Sequence, residues 1–324
     1  MATSVRPEIN ERFESNIPGV FVIGDLAGSP LVKLAMEQGY EVALALEQEL
    51  QALGGSPTET DVYDVLVIGA GGAGLNCAAE LQSRGRRVVV IEKEQIGSTV
   101  ANLPEGKWIY TEPEERPSVG LLPLRAAVKD DVVESWRSFV RSAGLQVREG
   151  EAVTSLRREE GVFSITTSAG RYRARRVVVA TGKAGSPKKL GVPGEDLAFV
   201  QHRLFQTRKY QNEQILVVGG GNSAVEAALA LAESNQVTLS YRGSEFTRLS
   251  KENSRRLRGA SNIQVLLGSK VTGFAPGVCQ LEGGPRACDH AFVLIGSEPP
   301  RDFLKALGIR LEDEWGWKKW AALL

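Results

Sequence analysis

The chain has 324 residues, enough for two domains, and its 39 basic residues balance its 39 acidic residues. This balance, with no clustered basic arm, argues against a nucleic-acid-binding protein or one that needs an acidic partner. The three cysteines form no C-x-x-C pair and no metal-ligand spacing, and such sparse cysteine is typical of the reducing cytoplasm. We predict no signal peptide and no membrane span, since no run reaches about 18 apolar residues.

The first part of the chain predicts a strand followed by a helix. Ile17–Asp25 contains a turn, a short buried strand and a Gly-Asp pair, and Leu31–Leu50 has the apolar spacing of a helix. Residues 51–60 (QALGGSPTET) have the composition of a linker. We therefore expect residues 1–50 to form a strand–helix segment that a linker joins to the next domain.

A dinucleotide-binding pattern follows in Asp64–Glu92. An apolar strand runs into the spacing G-x-G-x-x-G, a helix follows, and a second apolar strand ends in an acidic residue. In this pattern the first glycine permits the turn, the second lets a pyrophosphate approach the backbone, and the third lets the helix pack on the strand. The free N–H groups at the helix start attract phosphates, and the acid accepts the ribose hydroxyls.

The middle of the chain is less regular. Residues 95–124 are rich in Pro and Gly, and Lys129–Ala143 is an amphipathic helix pattern. Four short alternating runs, which predict antiparallel strands, then precede a buried strand; they are Leu145–Val147, Val153–Leu156, Phe163–Thr167 and Arg171–Arg173. The buried strand, Arg176–Ala180, continues into Thr181-Gly182.

A second dinucleotide pattern occupies Tyr210–Arg242. Its glycine-rich turn has the spacing G-x-G-x-x-A, but its second strand ends without an acid and is followed by Arg242. An arginine there suits the 2′-phosphate of NADP, whereas NAD-binding units usually carry a carboxylate. We therefore predict two nucleotides, FAD in residues 61–205 and NADPH in residues 206–296, with hydride transfer between them. Residues 297–324 would return to the FAD domain and end in a Trp-rich tail.

These motifs together resemble the two-dinucleotide-binding-domain flavoproteins, in their thioredoxin-reductase-like branch. The motifs that match are Gly69-Ala-Gly-Gly-Ala-Gly74 with Glu92, Val177-Val-Val-Ala-Thr-Gly182, Gly219-Gly-Gly-Asn-Ser-Ala224 and Gly19-Val-Phe-Val-Ile-Gly-Asp25. Three further segments are similar to the bacillithiol-disulfide-reductase group: Ile91-Glu-Lys-Glu, Gly191-Val-Pro-Gly-Glu-Asp196 and Leu239-Ser-Tyr-Arg-Gly-Ser-Glu245.

The order of the motifs departs from the family. In the family the Gly-Asp strand and its helix close the chain after the NADPH domain, whereas here they precede both dinucleotide patterns. We predict a circularly permuted FAD domain into which the NADPH domain is inserted. The alternative is that the first segment completes a neighbouring molecule's FAD site. A flexible ten-residue linker spans roughly 17 Å, which favours completion within one chain.

The redox cysteines of the family are also missing. The C-x-x-C of thioredoxin reductases would fall near Asn222–Glu226, where no cysteine occurs, and Ala73 stands where the bacillithiol-reductase group has a cysteine. Electrons would then pass to an unidentified acceptor, an iron–sulfur or flavodoxin-like protein, as in the ferredoxin reductases of this branch. The alternatives are a reductase of small disulfides and a non-catalytic FAD/NADPH-binding sensor within a larger assembly.

The resemblance implies two sets of cofactor-binding residues, and we predict no catalytic acid, base or metal ligand. For FAD the set is Gly24, Asp25, Lys33, Gly69, Gly71, Gly72, Ala73, Gly74, Glu92, Lys93, Val153, Ala180, Thr181 and Gly182. For NADPH it is Gly219, Gly221, Asn222, Ser223, Ala224, Arg242 and Arg248.

Some residues keep two interpretations. Lys33 matches a flavin-contacting position but is equally well explained as a solvated lysine. Cys279 and Cys288 flank a Gly-Gly-Pro turn and are interpreted as ordinary thiols, with a regulatory disulfide as the alternative. The tail from Trp315 to Leu324 is either a surface helix or the start of a membrane-interface segment, since Trp and Lys suit that interface. We expect a cytoplasmic homodimer, with membrane contact through this tail as a further prediction.

Overall fold

A computed structural model of the chain describes residues 6–54, 61–103, 105–159, 161–183, 187–204, 206–247, 249–296 and 300–312. The chain divides into two compact units. The first contains the described parts of Met1–Ala101, Gly106–Gly185 and Pro299–Leu324, and the second those of Asn102–Glu105 and Ser186–Glu298. This division places residues 187–204 with the second unit, before the boundary that we predicted at residue 206. The predicted Trp-rich tail, Arg248 and most of the linker lie outside the described residues.

The elements of the first unit begin with the predicted strand and helix. In chain order they are β1 (Val20–Val22), a 3-10 turn (Gly24–Ala27), α1 (Val32–Ala52), β2 (Val62–Ile68), α2 (Gly72–Ser83), β3 (Val88–Ile91), α3 (Ser98–Ala101), β4 (Trp108–Ile109), β5 (Ala127–Val128), α4 (Lys129–Ala143), β6 (Val147–Arg148), β7 (Val153–Glu159), β8 (Val162–Thr167) and β9 (Arg171–Val179).

The second unit follows, and the chain then returns to the first. Its elements are β10 (Val200–Gln201), β11 (Gln214–Val218), α5 (Asn222–Leu231), β12 (Gln236–Tyr241), α6 (Lys251–Gly259), β13 (Ile263–Leu267), β14 (Val271–Ala275), β15 (Val278–Leu281), β16 (Gly284–Ala287) and β17 (His290–Val293), and α7 (Arg301–Ala306) belongs to the first unit.

The first unit is built on a seven-stranded sheet. Strands β6, β3, β2 and β9 lie side by side and are parallel, and β8 and β7 continue the sheet as an antiparallel pair. The N-terminal strand β1 pairs in parallel with the second half of β9, with Val20 opposite Val177 and Val22 opposite Val179. The first strand of the chain is therefore part of the same sheet as the first glycine-rich unit.

Two of the predicted antiparallel strands are corrected by this topology. Arg171–Arg173 and Arg176–Ala180 are one nine-residue strand, β9, whose first half pairs with β8 and whose second half lies between β1 and β2. The residues near Val147 pair in parallel with β3 and not antiparallel. Both errors concern partners distant in sequence, which alternation alone cannot specify.

Charged pairs hold α1 on the sheet of the first unit. The guanidinium of Arg86 donates to both carboxylate oxygens of Glu47 at 2.7 and 2.8 Å, and both side chains are buried. This hydrogen bond from Arg86 lowers the pKa of Glu47 against the opposing effect of burial. Arg176 donates from Nε to Glu49 at 2.8 Å, and Arg175 donates to the Leu53 carbonyl at 3.2 Å. These contacts fix the helix along its C-terminal half.

The second unit has a five-stranded parallel sheet, in the order β10, β17, β11, β12 and β13, and a separate antiparallel sheet of β14, β15 and β16. The neighbouring strands β11 and β17 are largely buried, as expected for parallel strands covered on both faces, whereas the edge strand β13 exposes Val265 and Leu267. Both units are thus α/β, as predicted. No helix among the described residues is both long and apolar enough to cross a membrane.

Candidate nucleotide-binding sites

Two glycines of the first turn are required by packing within the protein. A Cβ atom at Gly69 would lie 2.6 Å from the Ala180 carbonyl oxygen, because the turn crosses the end of the neighbouring strand β9. A Cβ atom at Gly74 would lie 2.1 Å from the Gly69 carbonyl oxygen. Only glycine permits these two approaches, so these residues shape the turn.

Gly71 differs, because nothing in the protein requires a glycine there. Its φ of −84° and ψ of −177° are accessible to any residue, and a Cβ atom would meet no heavy atom within 4 Å. It precedes α2, whose first N–H groups have no partner within the helix and attract anions. The space beside Gly71 is therefore open in front of an anion-attracting helix end, which is what a pyrophosphate needs. Gly182 borders similar open space.

Glu92, which follows β3, hydrogen-bonds to the backbone of the first glycine-rich turn. Glu92 is buried, and its Oε2 accepts a hydrogen bond from the Ala70 N–H at 2.8 Å while Oε1 accepts one from the Glu94 N–H at 2.8 Å. Each carboxylate oxygen has a second lone pair with which to accept a ribose hydroxyl. Lys93 beside it is exposed, and Val153 is buried in the hydrophobic core at the start of β7.

The N-terminal segment contributes to the same place. Gly24 donates its N–H to Gln38 Oε1 at 2.8 Å, and a Cβ atom at Gly24 would lie 3.3 Å from that of Ala73 on α2. Asp25, which follows it, forms an ion pair with Lys183 at 3.2 Å, and both side chains are partly exposed. The predicted residues Gly24 and Asp25 therefore lie with the first glycine-rich turn. Lys183 was not among the predicted residues, although it directly follows the Ala180–Gly182 motif.

The Thr181 hydroxyl supplies a direct test of whether a cofactor fits. Its Oγ1 is a buried atom without a hydrogen-bond partner among the described residues, and its residue lies against Gly69 of the first turn and directly precedes Gly182. Buried hydroxyls in proteins are normally paired, so this atom points to a polar ligand. Together with the open turn and the Glu92 carboxylate, it fits FAD.

Lys33 is not a solvated lysine. Its side chain on α1 is buried, and its Nζ donates to the Thr111 carbonyl at 2.9 Å and to the Pro113 carbonyl at 2.7 Å. Two carbonyls leave the third N–H of the ammonium available. Lys33 thus ties the 111–113 segment to α1 and brings a positive charge beside the N-terminal end of that helix.

Two residues that hold α1 against α2 were also missed. A Cβ atom at Gly39 would lie 2.3 Å from the Ala73 carbonyl oxygen, so the two helices touch through their backbones. Asn76 is fully buried, donates to the Met36 and Val119 carbonyls and accepts from the Leu122 N–H. Gly72, in the same helix, packs against α1 as well. These contacts fix the helix whose start forms the first turn, and no local pattern reveals them.

The second turn repeats the geometry of the first. A Cβ atom at Gly219 would lie 2.4 Å from the Leu294 carbonyl oxygen, just beyond the neighbouring strand β17, and 2.8 Å from the Ala224 Cβ. Gly221 has a φ of −98° and a ψ of 173°, and a Cβ atom there would meet nothing within 4 Å. Here too one glycine is required by the protein and the other leaves open space in front of a helix, α5.

The remaining predicted residues of this unit differ in their surroundings. Arg242 is exposed, and no described residue pairs with it. Ser223 is exposed and Ala224 is buried against the turn. The Asn222 side chain instead accepts hydrogen bonds from the loop before α6 and from α6 itself. Arg248 lies outside the described residues.

The three cysteines are buried thiols, and burial raises the pKa of Cys77 to about 12. A buried protonated thiol such as Cys77 is a poor nucleophile. Cys279 lies in β15 and Cys288 directly follows β16, so the two residues that flank the turn lie on neighbouring strands. The interaction between these two thiols raises the pKa of Cys279 and lowers that of Cys288. Among the described residues, no cluster of His, Cys, Asp and Glu could hold a metal.

Comparison with known proteins agrees with this geometry. A family model for pyridine nucleotide-disulphide oxidoreductases matches residues 66–271. The chain belongs to this family. It is 30% identical over 263 residues to a ferredoxin–NADP reductase of Ignicoccus hospitalis, covering 76% of this chain and 82% of the relative. It is 28% identical over 267 residues to the bacilliredoxin reductase Bdr of Bacillus subtilis, covering 78% and 82%.

Solved structures show the same fold. The bacillithiol disulfide reductase Bdr (YpdA) from Bacillus cereus superposes with a TM-score of 0.63 at 28% identity, over 77% of this chain and 82% of that one. A thioredoxin reductase from T. acidophilum gives 0.58 at 23%, over 77% and 82%, and supports the fold alone. The relatives confirm the prediction of a thioredoxin-reductase-like flavoprotein oxidoreductase that uses FAD and NADPH. They do not identify its electron acceptor.

Proposed function

We propose that the protein binds NADPH in the second unit and FAD in the first, and that it passes electrons from NADPH through FAD to an electron-transfer protein. This proposal rests on two glycines, Gly71 and Gly221, at which neither the backbone angles nor the packing of the protein requires a glycine. Each leaves open space before a helix N-terminus, in a separate unit. When bound, the two cofactors supply hydride transfer from nicotinamide to flavin.

The residues of the first unit bind and orient their cofactor. Gly71 and the start of α2 receive the pyrophosphate, Glu92 accepts the ribose hydroxyls, and the unpartnered Thr181 hydroxyl bonds to the ligand. Asp25 supplies a carboxylate from the N-terminal segment, and Lys33 a positive charge. This charge would stabilise an anionic form of the flavin ring. No side chain is needed as an acid or base, so positioning and electrostatics are the protein's contribution.

The end of the second strand favours NADPH over NADH. In the first unit this position holds the buried carboxylate of Glu92, whereas in the second it holds Arg242, exposed and without a described partner. A free guanidinium is suited to bidentate recognition of a phosphate. This difference supports the 2′-phosphate as the group that Arg242 binds.

The N-terminal segment supports a permuted FAD domain completed within one chain. The family match begins at residue 66, after this segment, yet β1 pairs with β9 and α1 packs on α2. Ion pairs hold the helix in place, from Glu47 to Arg86, which precedes β3, and from Glu49 to Arg176, which lies in β9. We expect deletion of residues 1–50 to abolish FAD binding, and full FAD content in the deleted protein would refute the role of Asp25.

The acceptor is proposed to be an electron-transfer protein, as the name of the ferredoxin–NADP reductase relative states for that protein. The similarity to bacillithiol disulfide reductases favours a small disulfide as the second candidate. Against it, Ala73 stands where that group carries its cysteine, and the three cysteines of this chain are buried. If the enzyme reduced small disulfides such as cystine as fast as it reduces protein acceptors, a small disulfide would become the preferred acceptor.

A pair of matched substitutions tests the two sites. Gly71→Val and Gly221→Val place side chains in open space at accessible backbone angles, so both variants should fold. We expect Gly71→Val to purify without flavin. Gly221→Val should keep its flavin, but anaerobic NADPH should no longer bleach the flavin absorbance as it does in the unmodified protein. A flavin that neither NADPH nor NADH reduces in the unmodified protein would refute the catalytic function and favour a redox sensor.

We propose a homodimer in the cytoplasm, with contact to a membrane through the Trp-rich tail, whose residues lie outside those described. Sedimentation equilibrium should give twice the 35.0 kDa chain mass. Flotation with anionic vesicles should require residues 313–324.

A further inference from the structure

The hydrogen-bonding register shows which residue of the second unit takes the place of Glu92. In the first unit, the first glycine of the turn donates its N–H to the Ile91 carbonyl, and the next residue is Glu92. In the second unit, the first glycine of the turn donates to the Ser240 carbonyl, and the next residue is Tyr241. The strand pairing gives the same register. Tyr241 therefore stands where the first unit holds its acid, and Arg242 lies one residue further along.

The Tyr241 ring packs against the second glycine-rich turn. A Cβ atom at Gly220 would lie 2.3 Å from this ring, and one at Gly243 would lie 2.6 Å from it. The Phe246 ring stacks on it, with centroids 5.3 Å apart and planes 6° apart, and both rings are half-buried. The hydroxyl lies beside Gly243, which directly follows Arg242, and it has no hydrogen-bond partner in the part of the chain that the structure describes.

The two units also differ at the residue that packs against this position. In the first unit Ala70, the second residue of the turn, donates its N–H to Glu92 Oε2 at 2.8 Å. The same place in the second unit holds Gly220, whose φ is not in the left-handed region, so the backbone does not require a glycine. The glycine is instead explained by the Tyr241 ring, which leaves no room for a Cβ atom. Alanine with glutamate and glycine with tyrosine are thus two matched pairs.

The backbone around Tyr241 is fixed by the residues that follow β13. The Ser269 N–H donates to the Tyr241 carbonyl at 3.0 Å, and the Gly268 N–H donates to the Gly243 carbonyl at 2.8 Å. These bonds involve no side chain of residues 241–243. A substitution at Tyr241 should therefore change the chemistry that a ligand meets while the backbone stays in place.

We propose that Tyr241 is a specificity-determining residue of the NADPH site: its ring replaces the ribose-binding acid, and its hydroxyl donates to the 2′-phosphate. This inference rests on the proposed function. A carboxylate at this position would accept the 2′-hydroxyl of NADH and would repel the 2′-phosphate of NADPH. The phenol carries no negative charge and offers an O–H donor, so it favours the phosphate.

The test measures two ligands that differ only in the 2′-phosphate. The FAD-loaded full chain is titrated by calorimetry with adenosine 2′,5′-bisphosphate and with 5′-AMP. KM and kcat are measured for NADPH and NADH, with ferricyanide as the acceptor. Tyr241→Phe keeps the ring and removes the hydroxyl, whereas Tyr241→Glu introduces the acid. The double variant Gly220→Ala/Tyr241→Glu reproduces the matched pair of the first unit.

A control variant removes a tyrosine hydroxyl elsewhere in the same unit. Tyr210 is buried, and its hydroxyl donates to Gln201 Oε1 at 3.3 Å. It precedes β11, whose other end leads into the glycine-rich turn. Tyr210→Phe should therefore leave the ratio of the two dissociation constants unchanged.

The expected result is a loss confined to the 2′-phosphate. Tyr241→Phe should weaken adenosine 2′,5′-bisphosphate about tenfold and 5′-AMP by less than about twofold, because the lost bond is to a charged group. Both glutamate variants should weaken the bisphosphate at least as much, raise the KM for NADPH and lower that for NADH, with kcat retained. A bisphosphate preference that survives in Tyr241→Phe, or equal weakening of both ligands in the glutamate variants, would overturn the inference.

The single variant Gly220→Ala tests the packing on which the inference depends. Beside Tyr241 its Cβ atom displaces the ring, so it should weaken the bisphosphate. The same change should be neutral once Tyr241 is replaced by glutamate, and additive effects would contradict the matched pairs. If Tyr241→Glu fails to fold by itself, the double variant and Tyr241→Phe decide.

Failure of the proposed function has a different signature. It would appear in the unmodified protein, as equal affinity for the two adenosine ligands or as flavin that NADPH does not reduce. In contrast, the inference alone fails when the unmodified protein prefers the bisphosphate and Tyr241→Phe keeps that preference.

Discussion

The close contact between α1 and α2 makes Gly39 the most informative single position. A Cβ atom there would lie 2.3 Å from the Ala73 carbonyl oxygen, 3.1 Å from the Ala73 carbonyl carbon and 3.3 Å from the Cys77 nitrogen. All three are backbone atoms of α2, so no side-chain rotation can relieve the overlap. Gly39→Ala must therefore push the two helices apart at Ala73, which belongs to the glycine-rich motif Gly69–Gly74.

Two opposing effects set the magnitude. Alanine in a helix interior is favoured over glycine by about 1 kcal/mol. Ordinary contact begins near 3.4 Å, so the overlap at the Ala73 oxygen requires a shift of about 1 Å, and overpacking of this kind costs roughly 3 kcal/mol at its upper end. The expected net loss is about 2 kcal/mol, which corresponds to roughly 4–8 °C in Tm. Because Ala73 moves with α2, FAD affinity should fall as well.

The assay combines thermal unfolding with the ratio of flavin to protein absorbance. Gly259→Ala is the matched control, since Gly259 ends α6 and a Cβ atom there would meet nothing within 4 Å. That variant should be as stable as the unmodified protein or slightly more stable, with full FAD content. If Gly39→Ala has an unchanged Tm and full FAD content, α1 does not pack on α2 as described, and the contribution of the N-terminal segment to the FAD site is refuted.

Three further substitutions test the charges and the hydroxyl that the structure describes. Glu47→Gln should lower the free energy of unfolding by roughly 3 kcal/mol at pH 7, since it leaves Arg86 buried without its anion. Folding lowers the pKa of Glu47 below its ordinary value of 4.5. The stabilisation by the ion pair is therefore complete above pH 4.5 and is lost as the pH falls through the folded-state pKa. Urea unfolding curves of the two proteins should converge in acid, and a difference that stays constant with pH would contradict the reasoning. Thr181→Val should raise the Kd for FAD by about fivefold to tenfold without lowering the Tm of the apoprotein, because the hydroxyl has no protein partner to lose; unchanged FAD affinity in fluorescence titration would show that the hydroxyl does not face the cofactor. Arg242→Leu should raise the KM for NADPH about tenfold and leave that for NADH unchanged, and an equal rise for both coenzymes would assign Arg242 no role at the 2′-phosphate.

The glycine-rich turns could be predicted because their sequence pattern is local. The spacing of Gly69, Gly71 and Gly74 and the flanking apolar runs predict the turn and the strands, although the backbone that excludes a side chain at Gly69 is that of the distant Ala180. The same holds for the Gly-Asp strand β1 and for helix α4, whose predicted and observed limits, Lys129–Ala143, agree. In each case the pattern that carries the prediction lies within a few consecutive residues.

Partners distant in sequence could not be predicted. Strand β9 was divided into two because its first half alternates and its second half is continuously apolar. That change of pattern reflects different neighbours, an antiparallel strand on one part and two parallel strands on the other, and not a break in the chain. The strands β15 and β16 were missed for a related reason, since only the turn between them was recognised.

The polar residues around the sites show the same limit most clearly. Lys33 and Asn253 look like surface residues in the sequence, yet both are buried. Their side chains bond to groups that lie 27 or more positions away along the chain. Burial of a polar side chain depends on which partners the fold brings to it, and a partner far along the chain leaves no periodic signal.

The sequence by itself determined that the chain has two dinucleotide-binding units and that they differ at the end of the second strand. Those features follow from backbone sterics and helix-end electrostatics, which act over a few residues. Only the tertiary structure decided that β1 and α1 join the first unit, which glycines face open space, and which polar side chains are buried. These depend on contacts between distant segments, whose free energy comes from close packing and from satisfying buried polar groups together.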